Sequence, residues 1–311
     1  MSIKSALTTT PRNMLDRQHA ADVESVSRLA SFITLTKPRI AVMVLMTVAV
    51  GFVLGGRGSS HPLTLTLALI GTGLVAAGAS AWNQVIERDR DARMRRTANR
   101  PLPSGNLQLV ESAVFGSTLA LSGLAILFVG TNGVATLVAL LTFTLYVAVY
   151  TPLKPITTLN TAIGAIPGAL PPVIGWAAAT GTVGVEPFVL FLIVFLWQFP
   201  HFLAIAWIHR EDYARGGHKM LPSVDPTGIL TGRQAVIHAL VLVPVGLLPT
   251  VVGIAGVAYF AGSLILGLLY LFASVRFLRK RDDASARSLM KTSFVYLPLI
   301  LLLLLINPMP V

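Results

Sequence analysis

Apolar runs of about twenty residues, parted by short polar connections, recur along this chain. Twenty residues is the length at which a helix crosses the hydrocarbon core of a bilayer. The pattern predicts nine spans: Ile40 to Leu54, Leu63 to Trp82, Val110 to Val129, Val134 to Tyr150, Asn160 to Ala179, Pro187 to Trp207, Ala235 to Gly256, Val257 to Phe277 and Ser293 to Ile306. The fifth holds Pro167, Gly168, Pro171 and Pro172. It must be kinked, since each proline removes a backbone donor and crowds the preceding turn. Inside a bilayer every backbone group has to be satisfied within its own segment, which excludes open sheets. The fold class is therefore an all-α integral membrane bundle. Residues 1–30 mix Ser, Thr, Arg, Asp and Glu without apolar periodicity and are expected to form a disordered cytoplasmic tail. Residues 31–311 are expected to form one polytopic domain.

Charge then orients the bundle. A net charge of +11 would suggest nucleic acid in a soluble chain, but here the basic residues sit between apolar spans, and no nucleic-acid partner is expected. With the amino terminus in the cytoplasm and the carboxyl terminus outside, every Lys and Arg except Arg57 falls on the cytoplasmic side, as positively charged loops do. The same topology puts the charged stretches after spans two and six on one face. They are four spans apart, as two four-helix halves plus a ninth helix around a central cavity would place them. Cysteine is absent, which removes thiolate metal sites and disulfides.

The densest charge follows span two, from Asn83 to Pro101. If that helix continues to Asp91, then Asn83, Glu87 and Asp91 fall within about 80° of one another on one face. Amide and carboxylate oxygens suit Mg²⁺, which takes one or two protein carboxylates and fills its other positions with water and substrate phosphate. Arg93, Arg96 and Arg100 lie just beyond and would grip the same phosphate. The competing reading is a solvated loop that only orients the helix. A second constellation closes span six: His201 inside the apolar run, then Arg210, Asp212, Arg215 and Lys219. A histidine inside a membrane helix either pairs or works. It can bond a neighbouring carbonyl, serve as a base or ligate haem iron. The charged tail is a second candidate phosphate and metal site, or again an orienting loop.

At these residues the chain resembles the UbiA-type membrane prenyltransferases, and within them the protoheme IX farnesyltransferases (haem O synthases). The likeness is carried by Asn83-x₃-Glu87-Arg-Asp89-x-Asp91-x₂-Met94-x-Arg96-Thr97-x₂-Arg100-Pro101 and by Trp197-Gln-x-Pro200-His201-Phe. It continues in Arg210-x-Asp212-Tyr213-x₂-Gly216-x₂-Lys219-Met220-Leu221-Pro222, in Leu35-Thr-Lys37-Pro38-Arg39 and in Tyr150-Thr-x₂-Lys154. Aromatic-acceptor members of the superfamily read Asn-Asp where this chain has Asn83-Gln84, and Asp where it has Glu87. These departures favour the haem branch.

The resemblance implies transfer of the farnesyl group of farnesyl diphosphate to a vinyl group of protohaem (haem B), with water adding, to make haem O for terminal oxidases. It implies Mg²⁺ held by Asn83, Glu87 and Asp91, with Asp212 as a further acid. It also implies a diphosphate met by Arg93, Arg96, Arg100, Lys154, Arg210 and Lys219, and a haem placed by His201. The setting implied is the bacterial cytoplasmic (inner) membrane, with a haem A synthase or an oxidase-assembly protein as partner. Two rivals stay open: a related enzyme with a quinone-ring acceptor, and a transporter, since broken helices and intramembrane charges also mark transport paths.

The charge distribution makes a direct prediction. Reporter fusions after Gly130 and at Val311 should read external, and fusions after Arg100, Ala214 and Arg281 cytoplasmic. A cytoplasmic carboxyl terminus would overturn the nine-span arrangement.

Overall fold

The computed structural model describes residues 28–57 and 61–309. Most of the tail expected over residues 1–30 lies outside the described residues, which begin in a helical segment, 28–35. Nine helical spans among the described residues are long and apolar enough to cross a membrane. They are α1 (Pro38–Gly56), α2 (Pro62–Asp91), α3 (Leu109–Gly130), α4 (Gly133–Thr144) with its continuation, α5 (Asn160–Ala169) and α6 (Pro171–Thr180) together, α7 (Val185–Ile208), α8 (Ile229–Val251), α9 (Val257–Lys280) and α10 (Asp283–Ile306).

Local chemistry sets the ends. Pro38, Pro62 and Pro171 open α1, α2 and α6, where a missing N–H is no loss and the fixed φ already suits a helix. Gln108 and Glu111 form a capping box at the start of α3. Asn132 caps α4 by accepting from the Ala135 amide at 2.9 Å, and its own amide donates to the Ala177 carbonyl of α6 at 2.8 Å. Asp282 caps α10 by accepting from the Ser285 amide at 2.7 Å. That cap moves the start of the ninth span ten residues upstream of the expected Ser293, because charged residues at a helix end interrupt the apolar run without interrupting the helix. The seventh span likewise starts at Ile229, where Asp225 accepts from the Thr231 amide at 2.8 Å. It ends at Val251, before a turn with Gly253 at φ 76.

Two irregularities shape the interior. The fourth span leaves α4 as a π-helix, Leu145–Tyr150. The fifth is broken at Leu170, between Pro167 inside α5 and the Pro171-Pro172 pair that opens α6. Gln198 of α7 fills the space beside the break: its amide donates to the Ala165 carbonyl at 3.1 Å. A Cβ on Gly168 would sit 2.1 Å from its oxygen.

Packing crosses the division expected between the first four spans and the next four, since α1 lies along α6 and α2 packs on α3 and α6. At the α1–α6 crossing the backbones touch: a Cβ on Gly175 would lie 1.9 Å from the Val48 carbonyl oxygen, and one on Gly51 2.0 Å from that of Pro172. A second, larger core gathers α7 to α10 around Trp197, Tyr270, Phe277 and Tyr296.

The close crossing yields a stability prediction. Gly175→Ala should destabilise the protein by about 1–3 kcal/mol, the usual range for overpacking, and lower its unfolding temperature in detergent. Gly73→Ala should be neutral, since its nearest neighbour is a Leu45 methyl at 3.6 Å. Equal unfolding temperatures for the two variants would refute the tight crossing.

Candidate functional site

Helix α2 runs unbroken to Asp91, so Asn83, Glu87 and Asp91 do share one face. All three are buried, at 1%, 3% and 0% exposure. Each meets a cation from a different part of the chain. Lys37 Nζ donates to Asn83 Oδ1 at 2.9 Å, Lys154 Nζ lies 2.8 Å from Glu87 Oε1, and Arg100 donates to Asp91 Oδ2 at 2.7 Å. Asp89, on the other side of the helix, is exposed beside Arg88.

The π-helix builds the facing wall. Its wide turn brings the Thr151 amide and hydroxyl to the Tyr146 carbonyl, and the hydroxyl also accepts from the Asn83 amide at 3.2 Å. Tyr146 and Tyr150 come ring to ring at 5.3 Å. Lys154 Nζ stands 4.6 Å from the centre of the Tyr150 ring, a cation–π contact. Such single π turns are frequent at functional sites. Burial acts to lower the Lys154 pKa, but Tyr150 and the Glu87 carboxylate outweigh it and hold the ammonium above its ordinary value. Lys37 goes the other way. Burial, with repulsion from Arg100 and Lys154, pushes it down to about 7 against the pull of Glu87 and Asp91.

The second motif closes over the first. Asp212 accepts from the Arg95 backbone amide at 3.1 Å and pairs with Arg215, which holds its carboxyl below the usual range. Arg96 lies over the Tyr213 ring, 5.7 Å from its centre. The Lys219 amide donates to the Lys154 carbonyl at 2.8 Å, and Asn160 donates to the Lys219 carbonyl at 2.9 Å. His218 is buried at 3% exposure, with no partner for Nδ1. Burial drops its pKa to about 4, so it is neutral at physiological pH.

The structure thus brings Asn83, Glu87, Asp91 and Arg100 together as the spacing suggested, and Lys154, which only the resemblance singled out, joins them. Asp212 instead ties the two charged loops, and Arg96 flanks it. Arg93 is exposed and bonds the Asp89 carbonyl, while the side chain of Lys219 is exposed. Arg210 stacks on Trp207 and pairs with Asp283 at 2.8 Å, lining a cavity of about 200 Å³ with His209, Asp212 and Arg215. His201 is elsewhere in α7, bonded to Ser293 at 2.7 Å. Lys37, Thr151, Tyr150 and His218 were not assigned to the site from sequence. Lys37, Tyr150 and Thr151 belong to the matching segments, and His218 falls at an unspecified place inside one; their neighbours become visible only in three dimensions. Gln84, the departure from Asn-Asp, donates to the Leu35 carbonyl at 3.0 Å and so anchors the chain leading to Lys37.

Donor chemistry tests the fit to Mg²⁺. Asp91 Oδ1 is a buried acceptor with no hydrogen-bond partner. Glu87 Oε1 is met by Lys154 Nζ at 2.8 Å. No group of three or more His, Cys, Asp or Glu gathers among the described residues, so this is not a self-sufficient cage. Two buried carboxylates, with Asp91 Oδ1 unpartnered, beside three cations fit an ion that arrives sharing its charge with phosphate.

Comparison with known proteins shows the family. A model of the UbiA prenyltransferase family matches residues 44–297. The chain is 45% identical over 288 residues to the protoheme IX farnesyltransferase of Solibacter usitatus (strain Ellin6076), covering 90% of this chain and 99% of that one. It is 42% identical over 291 residues to the protein of the same name from Koribacter versatilis (strain Ellin345), covering 90% and 94%. Among solved structures, a digeranylgeranylglyceryl phosphate synthase shares the fold with a TM-score of 0.75 at 18% identity, over 90% of this chain and 98% of that one. So does a UbiA homolog from Archaeoglobus fulgidus bound to GPP and Mg²⁺, with a TM-score of 0.65 at 17% identity over 88% and 99%.

The Glu87–Lys154 pair can be tested apart from activity. Removing one partner of a buried pair strands a charge and costs about 3–5 kcal/mol. Lys154→Met should therefore sharply lower the unfolding temperature in detergent, and Lys154→Met with Glu87→Gln should recover most of it. An additive double variant would mean the pair is not coupled.

Proposed function

The chain belongs to the UbiA prenyltransferase family, and from that premise we propose that it is a membrane enzyme that transfers the farnesyl group of farnesyl diphosphate to a vinyl group of protohaem IX, making haem O. The observation that carries the transfer chemistry is the buried face of Asn83, Glu87 and Asp91, with each member matched by a cation. The acceptor is argued from the long, high-identity relatives of that name. We place the enzyme in the bacterial cytoplasmic membrane with both charged loops on the cytoplasmic side.

Asn83, Glu87 and Asp91 would hold Mg²⁺, which when bound draws charge from the diphosphate as the allylic carbon–oxygen bond breaks. The chain's own cations do the rest of the neutralising. Lys154 and Arg100 already stand at the carboxylates, and Lys37 stands at Asn83. A diphosphate entering there replaces carboxylate oxygens with phosphate oxygens as their partners. Asp212 acts at a distance, holding the Arg95–Arg96 loop over the opening, with Arg96 steadied by Tyr213. Arg93 and Lys219 are exposed charges that attract the anion, and Arg210 serves at the cavity rim beside Asp283.

Once the carbon–oxygen bond is broken, the allylic cation has to meet the vinyl group before it meets water. The apolar spans beside the site exclude water during that interval. Attack by the terminal vinyl carbon forms the new carbon–carbon bond and leaves a cation next to the porphyrin ring. A water molecule adds to that carbon and releases a proton, giving the hydroxyethylfarnesyl group. His201 places the haem.

Turnover of purified variants across a magnesium titration tests the transfer site. Glu87→Gln and Asp91→Asn keep size but remove charge, and each should lower turnover by roughly 10²–10³, the scale for loss of one charge-stabilising group. Asp89→Asn, outside the face, should be mild. Wild-type turnover in both carboxylate variants would reduce these residues to orienting charges. Haems extracted from membranes that express the protein decide the acceptor, since a quinone-ring enzyme would add no haem O.

A further inference from the structure

The polar contacts of His201 contain a count of protons. In α7 the His201 ring is buried at 7% exposure, stacked on Trp197 at 4.9 Å and met edge-on by Phe294 at 5.0 Å. Its Nδ1 lies 2.7 Å from Ser293 Oγ on α10, and that hydroxyl lies 2.6 Å from the Met290 carbonyl oxygen. A serine hydroxyl carries one proton. If it donated to Nδ1, the 2.6 Å gap between two oxygens would hold no proton. Both gaps are filled only when Nδ1–H donates to Oγ and Oγ–H donates to the carbonyl. A neutral imidazole protonated on Nδ1 leaves Nε2 with a bare lone pair. Among the described residues no hydrogen bond reaches Nε2, and unlike His218 Nδ1 it is not a sealed, orphaned atom.

The backbone around this relay is held as well. Trp197 Nε1 donates to the Ser293 carbonyl at 2.9 Å, and the Tyr270 hydroxyl donates to the Trp197 carbonyl at 3.0 Å. Ser293 is fully buried. The relay is rigid, and its open end is an imine nitrogen among aromatic rings, with Phe294 half exposed beside it. Histidines that ligate metals characteristically donate their other ring N–H to a fixed acceptor, which sets the tautomer and raises ligand basicity.

We propose that Ser293 is a positioning residue for the acceptor: by taking the Nδ1 proton of His201 and giving its own to the Met290 carbonyl, it presents the Nε2 lone pair to the iron of protohaem. The inference rests on protohaem being the acceptor. It adds that the porphyrin is held through its metal, so the iron serves as a handle and undergoes no change of its own during prenyl transfer.

The test uses the full-length protein in detergent, titrated with protohaem and, in parallel, with iron-free protoporphyrin. Ser293→Ala should weaken protohaem binding about ten- to a hundredfold, the usual effect of losing such an outer partner. It should also shift the haem absorption spectrum toward that of His201→Ala. Iron-free protoporphyrin should bind both variants as it binds wild type, and farnesyl diphosphate binding should be unchanged. Nitrogen-15 spectra of the ligand-free wild-type protein should show His201 protonated on Nδ1 and bare on Nε2, which reads the tautomer whether or not a variant folds. Wild-type haem affinity in Ser293→Ala, an equal loss of both porphyrins, a wild-type haem spectrum in His201→Ala or a proton on Nε2 would each overturn the proposal. Failure of the acceptor reading is recognised differently, as a wild-type protein that yields no haem O.

Discussion

Burying two carboxylates at one edge of a membrane bundle is tolerable only if each is paired, and that requirement organises the structure. Glu87 and Asp91 sit at no more than 3% exposure, where an unpaired charge costs several kcal/mol. The cations on this face come from three connections: Lys154 beyond the π-helix pairs with Glu87, Arg100 in the loop after α2 pairs with Asp91, and Lys37 before α1 bonds the neighbouring Asn83. Pairing therefore determines where three connections must end. Gln84 holding the Leu35 carbonyl and Asn160 holding the Lys219 carbonyl are the neutral supports that keep those connections still. Without ligand the charges answer one another. Under the proposed function, the same groups are the ones a diphosphate and its metal would meet.

Apolar packing supplies the frame on which this rests. Backbone contact at Gly51 and Gly175 fixes α1 to α6, which places Lys37 at the head of α1 in a fixed relation to the broken fifth span. Lys37 itself has φ 50, an uncommon conformation for a residue with a side chain. That turn lets the chain pass from the helical segment 28–35 into α1 while the ammonium points back at Asn83. The other core, around Trp197, Tyr270 and Tyr296, fixes α7 against α9 and α10 and keeps the His201 ring in one orientation.

What could be read in advance follows from range. Spans, the continuation of α2 to Asp91 and the outward place of Asp89 depend on periods of a few residues, and these were legible. The ends of α8 and α10 were less so, because Asp225, which holds the Thr231 amide, and Asp282, the cap of α10, lie in polar stretches that hydropathy counts as loop. Partners distant in sequence were hidden altogether. Arg210 looked like a phosphate ligand, and nothing local announces Asp283, 73 residues on. Lys37 sits in a matching segment whose role is defined only by Asn83, 46 residues away. The π-helix leaves no mark in hydropathy, since Leu145–Tyr150 is apolar and aromatic either way.

That π-helix makes the fourth span sensitive to chain length in a way its composition does not suggest. A π turn holds one residue more than the regular helix around it, and a residue corresponds to about 100° of rotation. Deleting any single residue between Leu145 and Tyr150 would let the span relax into an ordinary helix with its apolar character intact. It would also swing Thr151 and Lys154 about a quarter turn away from Asn83 and Glu87. For anyone redesigning this protein, the span tolerates exchanges of one apolar residue for another far better than any change in the number of residues.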